Sequence, residues 1–142
     1  MNKTTPRASA DSPELLLLVE DNEEAREALR RALEWHGYEV ITAENASDAE
    51  RRFGRTPRPV DLLVADVILP DRTGVELARA LAPRHPGLRV LFLSGYSDME
   101  IDLEVHGVGV SSFLEKPVTI RRLGEEVRKL LDARVTVTST GP

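Results

Sequence analysis

The chain has 142 residues, of which 41% are hydrophobic and 30% charged, proportions typical of one globular domain rather than of a disordered protein. It contains no cysteine, which excludes a disulfide framework, a cysteine-ligated zinc site and thiol chemistry. The net charge of −5, without a stripe of lysine and arginine, argues against direct binding of nucleic acid, and no apolar run approaches the roughly 20 residues of a membrane-spanning helix.

The two ends of the chain differ in composition from its middle. Residues 1–13 are polar and include two prolines, so we expect a disordered leader there, and residues 134–142 are expected to be a tail or the stub of a linker. One folded domain is therefore predicted over 14–133. The chain does not begin with the basic and then apolar segments of a secretory signal, and together with the absence of cysteine this favours a cytoplasmic location and no membrane partner.

Apolar strands alternate with amphipathic helices between these ends. The strands are predicted over about 15–19, 39–43, 61–65, 89–93 and 112–115, and the helices over about 23–36, 46–54, 75–84, 97–106 and 119–132. Gly37 is expected to end the first helix, Asn45 or Ser47 to cap the second, and Thr119 to cap the last. Because strictly alternating strands and helices form a parallel sheet covered on both faces, we predict an α/β domain of that architecture.

Three of the predicted helices have apolar residues at helical spacing, which indicates the face of each helix that packs on the sheet. These residues are Ala25, Ala28, Leu29, Ala32 and Leu33 in the first helix, Leu77, Ala78 and Leu81 in the third, and Ile120, Leu123, Val127, Leu130 and Leu131 in the last. Trp35, at the end of the first helix, is also expected to pack against the domain.

Three carboxylates lie at the ends of predicted strands. Glu20 and Asp21 come directly after the first strand, and Asp66 follows the apolar run 62–65. The carboxyl ends of parallel strands meet at one edge of the sheet, where open α/β sheets bind their ligands, so we expect the three acids to lie together. Oxygen ligands of this kind suit a hard cation such as Mg²⁺. The alternative interpretation is that the acids cap the segments that follow them, a role compatible with metal binding.

A hydroxyl group and a cation lie at the ends of two further strands. Ser94 follows the run 88–93, and Lys116 follows the run 112–115. Acids, a hydroxyl and a lysine on successive strand ends predict a site that handles a phosphoryl group. Taken separately, Ser94 is a candidate turn residue and Lys116 a candidate surface lysine. Pro117 favours the site role for Lys116, because the bond before a proline tolerates a cis conformation that would direct the lysine towards the site.

Four segments that end predicted strands resemble the receiver domain of bacterial response regulators, and the resemblance extends over about 14–132. These segments are 17–21 (LLVED), 66–74 (DVILPDRTG), 93–96 (LSGY) and 113–117 (FLEKP). The run 94–98 is most similar to receivers attached to hybrid sensor kinases. The family implies a flavodoxin-like α/β fold, a (βα)5 three-layer sandwich whose five-stranded parallel sheet has the strand order 2-1-3-4-5.

The resemblance also implies a role for each acid. Asp66 would accept the phosphoryl group, Asp21 would bind Mg²⁺ directly, and Glu20 would bind it through a water molecule. The backbone carbonyl of Ile68 would complete the protein's share of the metal ligands. Glu20 occupies a position where the family often has aspartate, and its additional methylene group should still allow it to reach a metal-bound water.

Four further residues are implied to contact the phosphoryl group or to respond to it. Ser94 and Lys116 would contact the phosphoryl group. Phe113 would be the aromatic side chain that changes rotamer on activation, and Tyr96 is assigned to the same switch. Phe113 stands where the family often has tyrosine and has no hydroxyl to offer, and plain core packing is the alternative role for it.

The function predicted on this basis is a phosphorylation-dependent signalling switch. A sensor histidine kinase or a histidine phosphotransfer domain would donate the phosphoryl group to Asp66, and the activated chain could form a homodimer or bind an output partner that the sequence does not identify. Part of the exposed face of the first helix, with the Pro117–Val118 loop, is a candidate surface for docking the donor. That exposed face comprises Glu24, Arg26, Glu27, Arg30 and Arg31.

Three other classes of protein compete with this interpretation. A phosphatase with an aspartyl nucleophile needs a general acid two residues later, where this chain has Ile68. A flavin-binding module needs a loop of serine, threonine and glycine after the first strand, whereas residues 20–23 are Glu-Asp-Asn-Glu, which repel phosphate. A receiver-like interaction domain that acts without phosphorylation is the alternative that remains. The chain is not expected to be an enzyme, beyond catalysing its own phosphorylation and slow dephosphorylation.

Overall fold

The structure, a computed structural model, describes residues 13–95 and 109–133. Several sequence-based predictions lie outside the described residues, namely the leader up to residue 12, Tyr96, the helix over 97–106 and the tail 134–142. None of the helices in the described part of the chain combines the length and the apolar character that crossing a membrane requires.

The described residues form a five-stranded parallel sheet. Its strands are β1 (Leu15–Val19), β2 (Glu39–Ala43), β3 (Leu62–Asp66), β4 (Arg89–Ser94) and β5 (Ser111–Glu115). They lie in the order β2-β1-β3-β4-β5, and each neighbouring pair is parallel. The predicted sheet and its strand order are confirmed, and each strand end lies within one residue of its predicted position.

Helices cover both faces of this sheet. The described helices are α1 (Glu23–Trp35), α2 (Ala46–Phe53), α3 (Gly74–Leu81) and α4 (Ile120–Asp132). On one face α1 and α4 pack on a cluster that includes Leu16 and Leu18, and on the other α2 and α3 pack on a cluster that includes Leu15 and Leu17. Because successive side chains of a strand point to opposite faces, an uninterrupted run of leucines in β1 supplies both layers of the core.

Local signals set the boundaries of α1, α2 and α4. The side chain of Asn45 caps α2 by accepting the N–H of Asp48 at 2.7 Å. Thr119 caps α4 in the same way, accepting the N–H of Arg122 at 3.0 Å. Gly37 follows α1 with φ of 97°, a left-handed conformation that residues with a side chain disfavour. The predicted caps at Asn45 and Thr119 and the predicted end of α1 are confirmed.

The third helix is shorter than predicted. It begins with a capping box, in which Thr73 accepts the N–H of Glu76 and the Glu76 side chain accepts the N–H of Thr73, each at 3.0 Å. It ends at Leu81, and residues 82–84 form a 3-10 turn instead of continuing the α-helix. The physical reason is Pro83, which cannot donate the backbone hydrogen bond that a further α-helical turn requires.

Three predictions about packing were wrong. Ala28, assigned to the face of α1 that packs on the sheet, is exposed. Trp35 is 77% exposed, because the side chains that α1 buries in its last turn are Ala32 and Leu33. Ile120 is 55% exposed, because the contact of α4 with the core begins with Leu123, almost one turn later. All three residues lie in helices as predicted, but burial also depends on which other elements pack against each turn of a helix.

We expect Thr119→Ala to lower the free energy of unfolding by about 1 kcal/mol, because the N–H of Arg122 loses its acceptor at the start of α4. Urea denaturation measures the difference. Thr119→Ser is the matched control, since a serine hydroxyl accepts the same hydrogen bond and should preserve most of the stability. Equal losses in the two variants would argue against the capping role.

Candidate functional site

Three carboxylates meet at the carboxyl ends of β1 and β3. Glu20 follows β1 and is 2% exposed, Asp66 ends β3 and is 5% exposed, and Asp21 is exposed to solvent. One oxygen of each lies within 4.8 Å of the others. The pairing of the two strands explains this proximity, because Val19 lies opposite Ala65 and the residues that follow therefore emerge side by side. The predicted grouping of the three acids is confirmed.

Hydrogen bonds hold the acid pair at the start of α1. The N–H of Asn22 donates to Glu20 Oε2 at 2.9 Å, and Arg26 Nη1 donates to the backbone carbonyl of Glu20 at 2.9 Å. The N-cap of α1 is Asn22, whose side chain accepts the N–H of Ala25 at 2.8 Å. Capping of α1 therefore does not account for Glu20 or Asp21. The sequence analysis missed Asn22, although asparagine just before a helical segment is a strong N-cap signal.

Lys116 reaches the two buried acids from the end of β5. Its Nζ lies 2.9 Å from Asp66 Oδ1 and 3.2 Å from Glu20 Oε1. Its backbone N–H donates to the carbonyl of Ser94 at 2.9 Å, which joins the ends of β4 and β5. The Lys116–Pro117 peptide bond is cis, as predicted from the sequence. Lys116 is therefore part of the acid cluster and not a solvated surface lysine.

Burial shifts the proton affinities of these groups in opposite directions. Burial, reinforced by the neighbouring Glu20 carboxyl group, raises the pKa of Asp66 to about 8, although Lys116 acts against it. Burial would also raise the pKa of Glu20, but hydrogen bonds from Asp66 and from the N–H of Asn22, together with Lys116, lower it. Burial disfavours the charged form of Lys116, but the two acids outweigh that effect and raise its pKa. These directions indicate that, without a bound cation, the buried carboxyl pair resists carrying two full negative charges.

The donor set fits a divalent cation. Asp66 Oδ1 is buried and has no hydrogen-bond partner among the described residues, although it forms an ion pair with Lys116 Nζ. Two almost fully buried carboxylates require compensating positive charge, and a single lysine with 35% of its side chain exposed offsets only part of theirs. Clustered carboxylate oxygens are the ligands that Mg²⁺ prefers. Within the described ranges, Glu20, Asp21 and Asp66 are the acids able to hold such an ion.

The structure also describes three other predicted site residues, Ser94, Phe113 and Ile68. Ser94 ends β4 and is half-buried. Phe113 is half-buried on β5, and its ring stacks on that of Phe92 with 4.9 Å between the ring centroids. Ile68 follows β3 with its side chain 46% exposed, and its backbone forms an antiparallel bridge with Thr73. The structure thus places Ser94 and Ile68 at the same edge of the sheet as the acids, whereas Phe113 lies in the middle of β5 in contact with the core.

Gly74 is a residue of the site whose role the sequence analysis missed. It is the first residue of α3 and is buried against the end of β3. A Cβ atom at this position would lie 2.2 Å from the backbone oxygen of Asp66, so α3 approaches the strand end more closely than any side chain allows. The signal in the sequence was a glycine directly after the Thr73 N-cap. Glycine at this position allows α3 to begin directly beside Asp66.

An apolar groove of about 410 Å³ opens beside the acids, between α1 and the loop from β5 to α4. It borders Glu20 and Lys116, and its apolar lining consists of Ala25, Ala28, Leu29, Leu93, Pro117 and Val118. The part of α1 that lines the groove is therefore apolar and differs from the charged face that the sequence analysis proposed for docking.

Replacing Asp21 with alanine should weaken Mg²⁺ binding by about tenfold or more without destabilising the metal-free fold. The reason is that the substitution removes one of three crowded anions, while α1 keeps its Asn22 cap. Titration calorimetry measures the affinity for Mg²⁺, and thermal melting in a chelator measures stability. Asp21→Asn serves as the control of equal size and should behave alike. A lower melting temperature for metal-free Asp21→Ala would indicate a structural role instead.

Comparison of the sequence with known proteins identifies a family and relatives to which this chain is similar. The model of the response regulator receiver domain family matches residues 16–128. The response regulator receiver protein CpdR of Brucella abortus is 32% identical over 118 residues, which cover 83% of this chain and 97% of CpdR. The sensor kinase CckA of the same species is 32% identical over 117 residues, which cover 82% of this chain but 12% of CckA. The chain thus spans nearly all of CpdR and a small part of CckA.

Solved structures share the fold over most of the chain. The receiver domain of the hybrid histidine kinase CckA has a TM-score of 0.69 and 30% identity, and the match covers 83% of this chain and 99% of that one. The response regulator TrrA of Thermotoga maritima, in complex with Mg²⁺ and BeF, has a TM-score of 0.71 and 29% identity, with 82% and 98% covered. Both matches extend over almost the full length of the solved chains.

Proposed function

This chain belongs to the response regulator receiver domain family, and from that membership we propose that it is a Mg²⁺-dependent signalling switch phosphorylated on Asp66. The observation that carries the proposal is the environment of Asp66, which lies against Glu20 and Lys116 with a buried oxygen that has no hydrogen-bond partner among the described residues. A carboxylate with a purely structural role would have its buried oxygens satisfied by donors. A strongly shifted pKa beside a specific charge partner is typical of a functional group.

The reaction is the transfer of a phosphoryl group from a histidine to a carboxylate. One oxygen of Asp66 attacks the phosphorus atom, the bond from phosphorus to the histidine nitrogen breaks, and its electron pair returns to the imidazole. The product is an acyl phosphate on Asp66. Only the ionised carboxylate attacks, and burial raises the pKa of Asp66, so positive charge close to Asp66, such as that of Lys116, favours the reactive form.

The remaining residues bind and orient the reacting groups. Asp21, Asp66 and the backbone carbonyl of Ile68 would hold Mg²⁺ directly and Glu20 through a water molecule, and the ion would neutralise charge on the acids and on the phosphoryl oxygens. Lys116, whose Nζ lies 2.9 Å from Asp66 Oδ1, is close enough to donate to an oxygen of the transferred group. The Ser94 hydroxyl donates to another phosphoryl oxygen.

The donor is a sensor histidine kinase or a histidine phosphotransfer domain, and the apolar groove beside the site supports docking on α1. The groove borders Glu20 and Lys116, so a helix that carries the phosphohistidine and packs there has its reactive atom next to Asp66. Two of the three lining residues of α1, Ala25 and Ala28, are small, which allows such a helix to approach closely. The exposed Ile120 extends the apolar surface beyond the loop.

Phosphorylation acts on the protein as a shift between two arrangements of the same fold. The signal leaves the site through β5, because Lys116 contacts the phosphoryl group and Phe113 lies three residues earlier on that strand. The phosphoryl group needs to favour one arrangement by only a few kcal/mol to change the populations. The half-buried position of Phe113 at the rim of the core supports a side chain able to change rotamer.

Incubation with Mg²⁺ and phosphoramidate, followed by intact-protein mass spectrometry, tests the proposal. We expect one phosphoryl adduct with Mg²⁺ and none with a chelator. Acetyl phosphate serves as a second donor, so that a failure with one small molecule is not mistaken for a failure of the site. No adduct with either donor would support an interaction domain that acts without phosphorylation.

We expect Ile68→Asn and Ile68→Glu to shorten the lifetime of the phosphorylated protein by about threefold or more, from a wild-type lifetime that is long for a receiver. Loss of phosphate requires a water molecule in line behind phosphorus, and a bulky apolar side chain two residues after Asp66 cannot orient it. Half-lives of the phosphorylated protein at saturating Mg²⁺ measure the effect, with Ile68→Leu as the apolar control. Unchanged decay in both polar variants would leave the shielding role without support. Tyr96, two residues after Ser94, is also expected to exclude this water molecule, but it lies outside the described residues.

A further inference from the structure

Asp71, in the loop from β3 to α3, attaches the site to a helix that carries no site residue. Its carboxylate oxygens accept the N–H groups of Ala46 and Ser47, each at 2.9 Å, at the start of α2. The next residue, Arg72, forms an ion pair with Glu50 on α2, with 2.7 Å between Nη1 and Oε2. The tip of this loop is therefore bound to α2 at two points.

Backbone contacts also join the two halves of this loop. The backbone of Ile68 forms an antiparallel bridge with Thr73, and the N–H of Leu69 donates to the carbonyl of Arg72 at 3.1 Å. These contacts link the rising and returning halves of the loop on either side of Asp71. A displacement of the tip is therefore transmitted to the backbone of Ile68.

Packing in the core fixes the base of the loop, whereas the tip of the loop is exposed. Val67 and Leu69 are 0% and 6% exposed and pack in the core on either side of Ile68. Pro70 and Asp71 at the tip are exposed, so apolar packing does not fix them. Two interactions orient the tip relative to α2, the Arg72–Glu50 ion pair and the contact of Asp71 with two N–H groups, and of these the Asp71 contact is the one made with the backbone of α2.

We propose that Asp71 is a positioning residue for the metal site, which attaches the loop to α2, fixes the backbone carbonyl of Ile68 and thereby sets the affinity for Mg²⁺ without touching the ion. The inference rests on the proposed function, in which that carbonyl is a metal ligand. An ionised carboxylate suits this role because both of its oxygens accept a hydrogen bond. Burial alone would raise the pKa of Asp71, but the N–H groups of Ala46 and Ser47 lower it to about 2, so the charge persists at neutral pH.

A pair of variants separates positioning from helix capping. Asp71→Ala and Asn45→Ala each remove a side chain that accepts N–H groups in the first turn of α2, but only Asp71 also holds the loop. Titration calorimetry with Mg²⁺ measures affinity, and urea denaturation in a chelator measures stability. We expect similar shifts of the urea midpoint in the two variants. The Kd for Mg²⁺ should rise about tenfold in Asp71→Ala and should stay close to that of the wild type in Asn45→Ala.

Asp71→Asn provides the conservative variant. Its amide oxygen accepts one of the two hydrogen bonds, so its Kd for Mg²⁺ should lie between those of the wild type and Asp71→Ala. This variant carries the test if Asp71→Ala does not fold. A Kd equal to the wild-type value in the folded Asp71 variants, or an equal rise in Asn45→Ala, would overturn the positioning role. A wild-type protein that binds no Mg²⁺ would overturn the proposed function and this inference with it.

Discussion

Asp66→Asn should lower the extent of phosphorylation by at least about a thousandfold, the scale on which loss of a nucleophile acts. The amide oxygen carries no negative charge and is a poor nucleophile. Neither neighbouring acid can replace it, because Glu20 is 2% exposed and bonded to the N–H of Asn22, while Asp21 faces solvent. Mass spectrometry after incubation with Mg²⁺ and phosphoramidate measures the adduct. A variant that gains the phosphoryl group as fast as the wild type would refute the assignment of Asp66.

The same variant should be at least as stable as the wild type without metal, and its advantage should grow with pH. The unfolded chain releases the Asp66 proton near the ordinary pKa of 3.8, whereas the folded protein keeps it until pH reaches about 8. Between these values the folded state binds more protons than the unfolded state, so wild-type stability falls as pH rises. Asparagine has no such proton.

Urea denaturation in a chelator at two pH values measures this effect and also shows that the variant is folded. The advantage of Asp66→Asn should be small near about pH 4.5 and on the order of 1–3 kcal/mol near about pH 8. An advantage of the same size at both pH values would show that it does not arise from the proton on Asp66. A variant less stable than the wild type at pH 8 would contradict the assigned pKa.

Lys116→Ala should destabilise the metal-free protein by about 1–3 kcal/mol at neutral pH. Loss of one partner of a fully buried ion pair costs about 3–5 kcal/mol, and the partial exposure of Lys116 reduces that penalty. The substitution leaves Glu20 and Asp66 buried without the cation that contacts both. Saturating Mg²⁺ should restore most of the loss, because the ion supplies the missing positive charge. Acidification should also reduce it, since protonated carboxyl groups need no cation.

Lys129→Ala is the matched control for this prediction. Lys129 is 74% exposed, and its Nζ lies 3.7 Å from Glu126 Oε1, so its removal should change stability by less than about 0.5 kcal/mol. Urea denaturation with and without Mg²⁺ compares the two variants with the wild type. An equal loss in both variants, or a loss in Lys116→Ala that Mg²⁺ does not restore, would contradict the role assigned to Lys116.

Features that depend on residues close together in the sequence were predictable from it. The strand ends that carry Glu20, Asp66 and Lys116 were located because a run of apolar residues ends there, which requires only the local pattern. The caps at Asn45 and Thr119 were predictable because each side chain bonds to an N–H three residues later. The parallel sheet followed from the alternation of strands and helices.

Contacts between distant residues were decided only by the tertiary structure. Trp35 and Ile120 were expected to pack against the domain, yet both are exposed, because other residues of their helices make the contacts with the core. The sequence predicts no more for Asp71 than a position in a loop. Only the fold shows that its side chain contacts the start of α2.

There is a physical reason why the sequence predicts some features and only the tertiary structure shows the others. The sequence by itself determined the order of the elements, their caps and the strand ends at which the acids, the hydroxyl and the lysine lie, because backbone conformation responds mainly to residues within a few positions. The tertiary structure alone decided that Lys116 lies against both Glu20 and Asp66, that burial raises the pKa of Asp66, and that α2 contacts the loop that follows Asp66. Burial and electrostatics act through space, so they are defined only once the fold has brought these groups together.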